Sequence, residues 1–264
     1  MIPILTLLAV SAVTGILGLD STGALQVMVS RPLVVGGVVG FMLGNAAAGL
    51  AIGSLVELLW TGGVPVGSLV PPDGTAAAAV AATVAVVLHG TGANSQGLVS
   101  GALGVLAAVP AGIVGAHAEV LQRRITNRLS RAAEARLDAG RLEGMGYILS
   151  LALGLAWARG FLVCLLCLGL GLPALAWIIA HLPAEALVAL RWCFWLYWLL
   201  GLAVVANHFW ERRGLKYAAG LGLVLAIYGS AAGADQSTVL ALAVAGALGL
   251  GVWRWIGARR GEMA

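Results

Sequence analysis

GGVVGFMLGNAAAGLAIGSLVELLWTGGVPVGSLVPPDGTAAAAVAATVAVVL, running from Gly36 to Leu88, decides how this chain is read. It is apolar almost throughout, yet glycine and proline cut it repeatedly and it holds two acids, Glu57 and Asp73. These are the only charged side chains between Arg31 and Glu119. A carboxylate in hydrocarbon costs roughly 2.5–3.5 kcal/mol on insertion scales, and no Lys or Arg inside the stretch offsets it. Acids kept in such a place, beside helix breaks, point to a polar pocket within a membrane protein. That pocket is where a substrate is expected.

Outward from this stretch the composition agrees. Of 264 residues, 61% are hydrophobic and only 10% charged, against about 25% charged in a soluble domain. At about 20 residues per span the length allows roughly six to nine membrane segments and leaves no room for a soluble catalytic domain. The expected fold class is all-α: a polytopic membrane protein with broken or re-entrant helices in its N-terminal half and a cytoplasmic amphipathic helix. The net charge of +4 rests on 14 Arg and one Lys; it reflects loop bias, and no nucleic-acid partner is expected. MIPILTLLAVSAVTGILGL has no basic flank before its apolar run, so no cleavable signal peptide is expected.

The arginines set the topology. LQRRITNRLSRAAEARLDAGRLEG (Leu121 to Gly144) carries Arg123, Arg124, Arg128, Arg131, Arg136 and Arg141; ERRGLK (Glu211 to Lys216) and RWIGARRG near the end are also basic. Crossings read at Tyr147–Ile179, Ala186–Ala206, Leu215–Ser230 and Ser237–Val252 put every basic segment on one side and the Arg-free turns HLPAE and GADQ on the other. By the positive-inside bias the C-terminus and the Leu121–Gly144 segment are cytoplasmic. In that segment Ile125, Leu129, Ala132, Ala133 and Leu137 recur at helical spacing against an Arg/Glu face, the pattern of an amphipathic helix at the inner membrane surface; a plain solvated connector is the alternative. Three regions follow: 1–116, an N-terminal membrane region with the site motifs; 117–146, the cytoplasmic amphipathic helix; and 147–264, a C-terminal membrane region. Tyr147–Ile179 is too long for one straight crossing and is read as tilted or broken at Arg159 and Pro173.

Before His89 the chain does not divide into clean spans. Irregular backbone at membrane depth is tolerated only where protein or a watery cavity surrounds it, and transporters build binding sites from such broken elements. Glu57 ends one helical stretch, WTGGVPVGSLVPP forms the break, and Asp73 opens the next helix with Thr75 behind it. Asp73 also suits an N-cap for TAAAAVAATVAVVL. No cap role is apparent for Glu57, which makes it the stronger functional candidate.

Other signals are structural. Cys164 and Cys167 form C-x-x-C inside an apolar helix, where a reactive thiolate is disfavoured. His89, His117, His181 and His208 share no metal-ligand spacing, so no metal site and no cofactor are expected. Late tryptophans fall near span ends, as interfacial anchors do. GLVSG (Gly97 to Gly101) misses the spacing of a rhomboid-type serine motif. Arg159 and Arg191, inside spans, pair with acids or carbonyls or else snorkel.

From Gly18 to Ala78 the chain reads GLDSTGALQVMVSRPLVVGGVVGFMLGNAAAGLAIGSLVELLWTGGVPVGSLVPPDGTAAA. An acid followed by Gln, an Arg-Pro-Leu, a G-x-x-L-G helix end, an L-V-E-L stretch and a Gly-rich turn ending in Pro-Asp occur in that order. In this it resembles the membrane IIC component of the mannose/fructose/sorbose family of sugar phosphotransferase systems. The resemblance is specific in the first 80 residues; the remaining length and Arg159 also fit. It implies a sugar-translocating subunit of the cell inner (plasma) membrane, multi-pass, paired with a IID membrane subunit of similar fold in a trimer of IIC–IID pairs. Cytoplasmic IIA and IIB subunits relay the phosphoryl group, so no catalytic residue or phosphohistidine is expected here. Glu57 and Asp73 match sugar-site positions, with Asp20, Gln26 and Arg31 as further substrate-binding candidates. Two departures bear on sugar preference: Asn45 stands where members commonly have Asp, and Pro65 where mannose-type members have Asn.

The chemistry is consistent by itself. A hexose presents hydroxyl donors, and a carboxylate accepts two of them as charge-assisted hydrogen bonds. Two acids flanking a break can thus clamp adjacent diols. The alternatives are an ion-coupled secondary transporter of a small polar solute, with one acid carrying the ion, or a non-transporting membrane sensor derived from such a permease.

Overall fold

The structure is a computed structural model, and it describes residues 3–24, 26–61, 70–89, 97–141 and 143–209. The expected crossings at 215–230 and 237–252, the ERRGLK loop, the basic tail, most of the Gly-rich turn including Pro65, and the His208 side chain lie outside the described residues. Two compact units are distinguished, Met1–Tyr197 and Trp198–Ala264. All that follows about packing and pockets concerns the first.

Among the described residues every regular element is helical, in seven helices: α1 (Ile4–Thr22), α2 (Pro32–Met42), α3 (Ala46–Trp60), α4 (Gly74–Leu88), α5 (Gly97–Asp138), α6 (Met145–His181) and α7 (Ala184–Phe209). The all-α expectation holds. Four of them, α1, α5, α6 and α7, are long and apolar enough to cross a membrane. The other three are not. With 11, 15 and 15 residues, α2, α3 and α4 span about 16–23 Å at 1.5 Å per residue, short of a hydrocarbon core of about 30 Å. Pro32, Gly44 and Gly74 stand at helix ends, whereas Gly49 and Gly53, also read as breaks, lie inside α3.

α2 and α3 form a hairpin across Leu43, Gly44 and Asn45, where Gly44 takes φ +83° and the Asn45 side chain accepts from Ala48 N at 3.0 Å to cap α3. The two helices touch backbone to backbone. A Cβ on Gly36 would sit 2.5 Å from the Gly49 carbonyl oxygen, and one on Gly49 would collide with the Gly36 carbonyl oxygen in turn. Each helix thus supplies a small-x-x-x-small pair, Gly36/Gly40 and Gly49/Gly53, the pattern that lets helices approach closely when no water drives them together.

The core is α4. Its residues from Thr75 to Ala85 are buried without interruption, and it packs against α5, α3, α2, α6 and α1. A helix apolar on every face must be enclosed on every face, and alanine keeps it thin enough for five neighbours.

The amphipathic segment differs in form from the expectation. α5 runs unbroken for 42 residues from Gly97 to Asp138, about 63 Å at 1.5 Å per residue, so residue 117 marks no helix break. Pro110 lies inside it, as Pro173 lies inside the 37 residues of α6. Each proline removes a single ladder bond, a loss that neighbouring groups can make good. The turn between them uses Gly140 at φ +66° and Gly144 at φ +81°. Leu182 and Pro183 join α6 to α7, within the predicted HLPAE turn. On α6, Leu162, Leu166, Leu170 and Trp177 are exposed, an apolar outer stripe. Its opposite face carries buried Cys164, whose Sγ donates to Thr14 Oγ1 of α1 at 3.5 Å.

Candidate functional site

Helix ends converge at one place: the C-terminus of α3, the N-termini of α2 and α4, the loop after α1, and the middle of α5 and α6. Asp73 is held there at three points. Its Oδ1 accepts from Ala76 N at 3.0 Å, making it the N-cap of α4 as the sequence suggested. Its backbone N donates to Gly112 O of α5 at 3.0 Å. Its Oδ2 accepts from Arg159 Nη1 at 3.0 Å. The approach to α5 depends on Gly115, where a Cβ would collide with the Asp73 Cβ.

Glu57 does have a cap role, across the fold and not along its own helix, which corrects the sequence reading. α2 begins at Pro32 and its N-cap residue, Arg31, offers no side-chain bond. Glu57 Oε2 accepts from Leu33 N at 3.3 Å, satisfying one of the amides that a helix start leaves unpaired. Glu57 Oε1 accepts from Arg31 Nη1 at 3.1 Å.

Both acids are offset, though by no cation inside the stretch. The cations come from the border of the stretch and from a helix far along the chain. The two pairs differ: Arg31–Glu57 has side chains 56% and 27% exposed, whereas Arg159–Asp73 has 6% and 9%. The first is solvated, so its net worth is about 0–1 kcal/mol. The second is dry, and removing one partner costs about 3–5 kcal/mol because a bare charge stays buried. Arg159 Nη1 also donates to Glu119 Oε2 at 3.4 Å, and Glu119 Oε1 accepts from Arg123 Nη2 at 2.6 Å. Asp73, Arg159, Glu119 and Arg123 therefore form a chain of alternating charge.

These groups line one pocket of about 210 Å³ that includes Arg31, Glu57, Trp60, Asp73, Thr75, Glu119 and Arg123. Three carboxylates and two arginines face the cavity, with Arg159 behind Asp73. Such a mixed wall offers both acceptors and donors, suiting a small solute that carries both. Of the candidates, Glu57, Asp73 and Arg31 are brought together.

Asp20 stands just behind. Buried at the end of α1, its Oδ1 accepts from Val27 N at 2.6 Å and its Oδ2 from Ser30 N at 3.1 Å and Ser30 Oγ at 3.2 Å. It shapes the loop that presents Ser30 to the pocket. Thr75 Oγ1 then donates to Ser30 O at 3.0 Å, tying that loop to α4. Gln26 is not among the lining residues; it lies exposed in the same loop at φ +54°.

Sequence reasoning missed Glu119, Arg123 and Trp60, and it allowed Arg159 an acid partner without naming Asp73. The signals existed. Arg159 is the only Lys, Arg, Asp or Glu between Glu143 and Glu185, and Glu119 precedes Arg123 by one helical turn, the spacing of a supporting pair.

Known proteins resemble the chain as follows. Residues 4–249 match the family described as the sorbose-specific IIC component of the PTS system. The mannose-specific EIIC component of Escherichia coli is 30% identical over 118 residues, 45% of this chain and 41% of that protein. The fructose permease IIC component of Bacillus subtilis is 30% identical over 142 residues, 54% and 48% of the two chains. The sorbose-specific EIIC component of Klebsiella pneumoniae is 29% identical over 129 residues, 49% and 45%. The chain thus spans about half the length of the relatives it matches. In fold it is similar to a solved membrane protein, with TM-score 0.62, 22% identity and 97% of each chain covered. It is also similar to a chain from the mannose transporter ManYZ bound to microcin E492, with TM-score 0.54, 22% identity and 100% and 96% covered. With the family match running over most of its length and its long apolar helices, the chain belongs to the PTS sorbose-type IIC components and is a multi-pass membrane protein.

Proposed function

We propose that the chain is the sugar-translocating IIC permease subunit of a mannose-family phosphotransferase system, binding a hexose that a cytoplasmic IIB partner phosphorylates. The observation that carries this reading is the sharing of one pocket by Glu57, Asp73 and Arg31. Each acid spends two bonds on the protein, while a carboxylate has about four acceptor sites, so both keep capacity for sugar hydroxyls. Arg31 and Arg123 supply donors for the ring and hydroxyl oxygens. Trp60 adds an apolar surface of the kind that sugar-sized ligands meet in pockets. Asp20 serves by holding Ser30 in place, and Gln26 serves at most from the loop edge.

On this reading a IID subunit covers part of the apolar surface, IIA supplies IIB, IIC–IID pairs form trimers, and the C-terminus and the basic end of α5 are cytoplasmic. The alternative of an ion-coupled transporter is less favoured, because both acids are already paired with arginines and neither stands alone to carry the ion. The test is uptake of radiolabelled mannose, fructose and sorbose in cells carrying the whole permease. Uptake of at least one sugar that resists a protonophore and is lost in Glu57→Gln and in Asp73→Asn, with membrane abundance retained, supports the proposal. Wild-type rates in both variants overturn the site, and uptake abolished by the protonophore overturns the phosphotransferase coupling.

A further inference from the structure

We propose that Arg159 is a positioning residue for sugar recognition, acting through Asp73 and itself held by Glu119; this rests on the sugar-site reading above. Three observations converge. Arg159 is buried in α6, and its Nη1 bridges Asp73 Oδ2 at 3.0 Å and Glu119 Oε2 at 3.4 Å. Its Nε is buried with no partner among the described residues, so among them the two carboxylates on Nη1 are the polar contacts that hold the guanidinium. Asp73 in turn has two other anchors, Ala76 N on Oδ1 and Gly112 O on its backbone. With Arg159 added, both carboxylate oxygens are bonded and the plane of the carboxylate cannot rotate.

The consequence is geometric. A carboxylate with one free oxygen swings about its terminal torsion, which is broad, and presents its remaining lone pairs over a range of directions. Pinned at both oxygens, Asp73 presents them in one. A ligand hydroxyl then meets an acceptor already in place, and the ordering cost of binding falls. A buried guanidinium placed here merely to balance charge would need its charge alone. One placed to orient Asp73 needs its reach and its second carboxylate, Glu119, as well.

The experiment is sugar uptake against concentration in cells carrying the whole permease, using whichever of mannose, fructose and sorbose the wild type transports. Arg159→Leu is expected to raise KM at least tenfold with membrane abundance within twofold of wild type, and Arg159→Lys to bring KM back to within about threefold. Glu119→Gln, which leaves Asp73 and Arg159 in place, is expected to raise KM about threefold. If Arg159→Leu fails to accumulate, the Lys and Glu119→Gln variants decide. A wild-type KM in Glu119→Gln, or a fall in maximal rate alone in the Arg159 variants, overturns the positioning role while leaving the sugar site standing. A wild type that takes up none of the three sugars defeats the sugar-site reading and this role with it.

Discussion

Residues 32–88 and residues 97–209 are both strongly apolar, yet they solve the bilayer in opposite ways. The later stretch makes helices of 42, 37 and 26 residues whose outer faces carry exposed leucine and tryptophan. The earlier stretch makes three helices too short to cross, which lock together through glycine and alanine. On the outer faces of the long helices a side chain meets its surroundings, and its size matters little. In the short-helix region backbone meets backbone, and each helix end leaves amides that only a side chain can satisfy. Glu57 and Asp73 stand where they do because they cap those ends. The lesson is that interrupting helices inside a membrane protein creates the demand for polar groups, and a binding pocket can be assembled from groups already needed there.

The comparison can be broken at its strongest point first. Gly49→Leu places a side chain into the Gly36 carbonyl of the facing helix; its cost should exceed the ~1–3 kcal/mol of ordinary overpacking, since backbone cannot turn aside. Immunoblots of membranes should find little folded protein, and normal abundance would show that the hairpin opens freely. Asp73→Ala comes next. It strips the cap of α4 and leaves Arg159 buried with only Glu119, for a loss of about 3–5 kcal/mol, read as a lowered midpoint of thermal aggregation in detergent. Arg31→Ala removes the solvated partner of Glu57, and about 1 kcal/mol or less is expected by the same assay. If it proves as damaging as Asp73→Ala, the two pairs are not the dry and wet cases described. The smallest effect belongs to the long helices: a Cβ at Gly169 of α6 meets nothing within 4 Å, so Gly169→Leu should stay within about 0.5 kcal/mol of wild type.

Much of this was legible in the sequence, for identifiable reasons. Pro32, Gly44 and the Pro71–Pro72–Asp73 run marked helix ends because these residues restrict or release the backbone wherever they stand. Asp73 as a cap followed from its place before an alanine run. The turn at Leu182–Pro183 was likewise visible. What escaped was contact across long separation. Glu57 was judged to have no cap role because its own helix has no use for it; the amides it serves belong to α2, 24 residues earlier. Arg159 lies 86 residues from Asp73, and no periodicity connects them. The basic segment was read as a helix of its own beginning at 117 because the composition changes there, but a change in composition does not end a helix, and α5 runs through that position without a break.

α4 has one more consequence. Of its 15 residues seven are alanine, and from Thr75 to Ala85 they are buried among other helices. A segment of 15 residues, about 23 Å at 1.5 Å per residue, is too short to cross a hydrocarbon core of about 30 Å by itself. Its enclosure depends most on α5, which follows it in the chain and packs against it, so the centre of the bundle is incomplete until a later helix has been made.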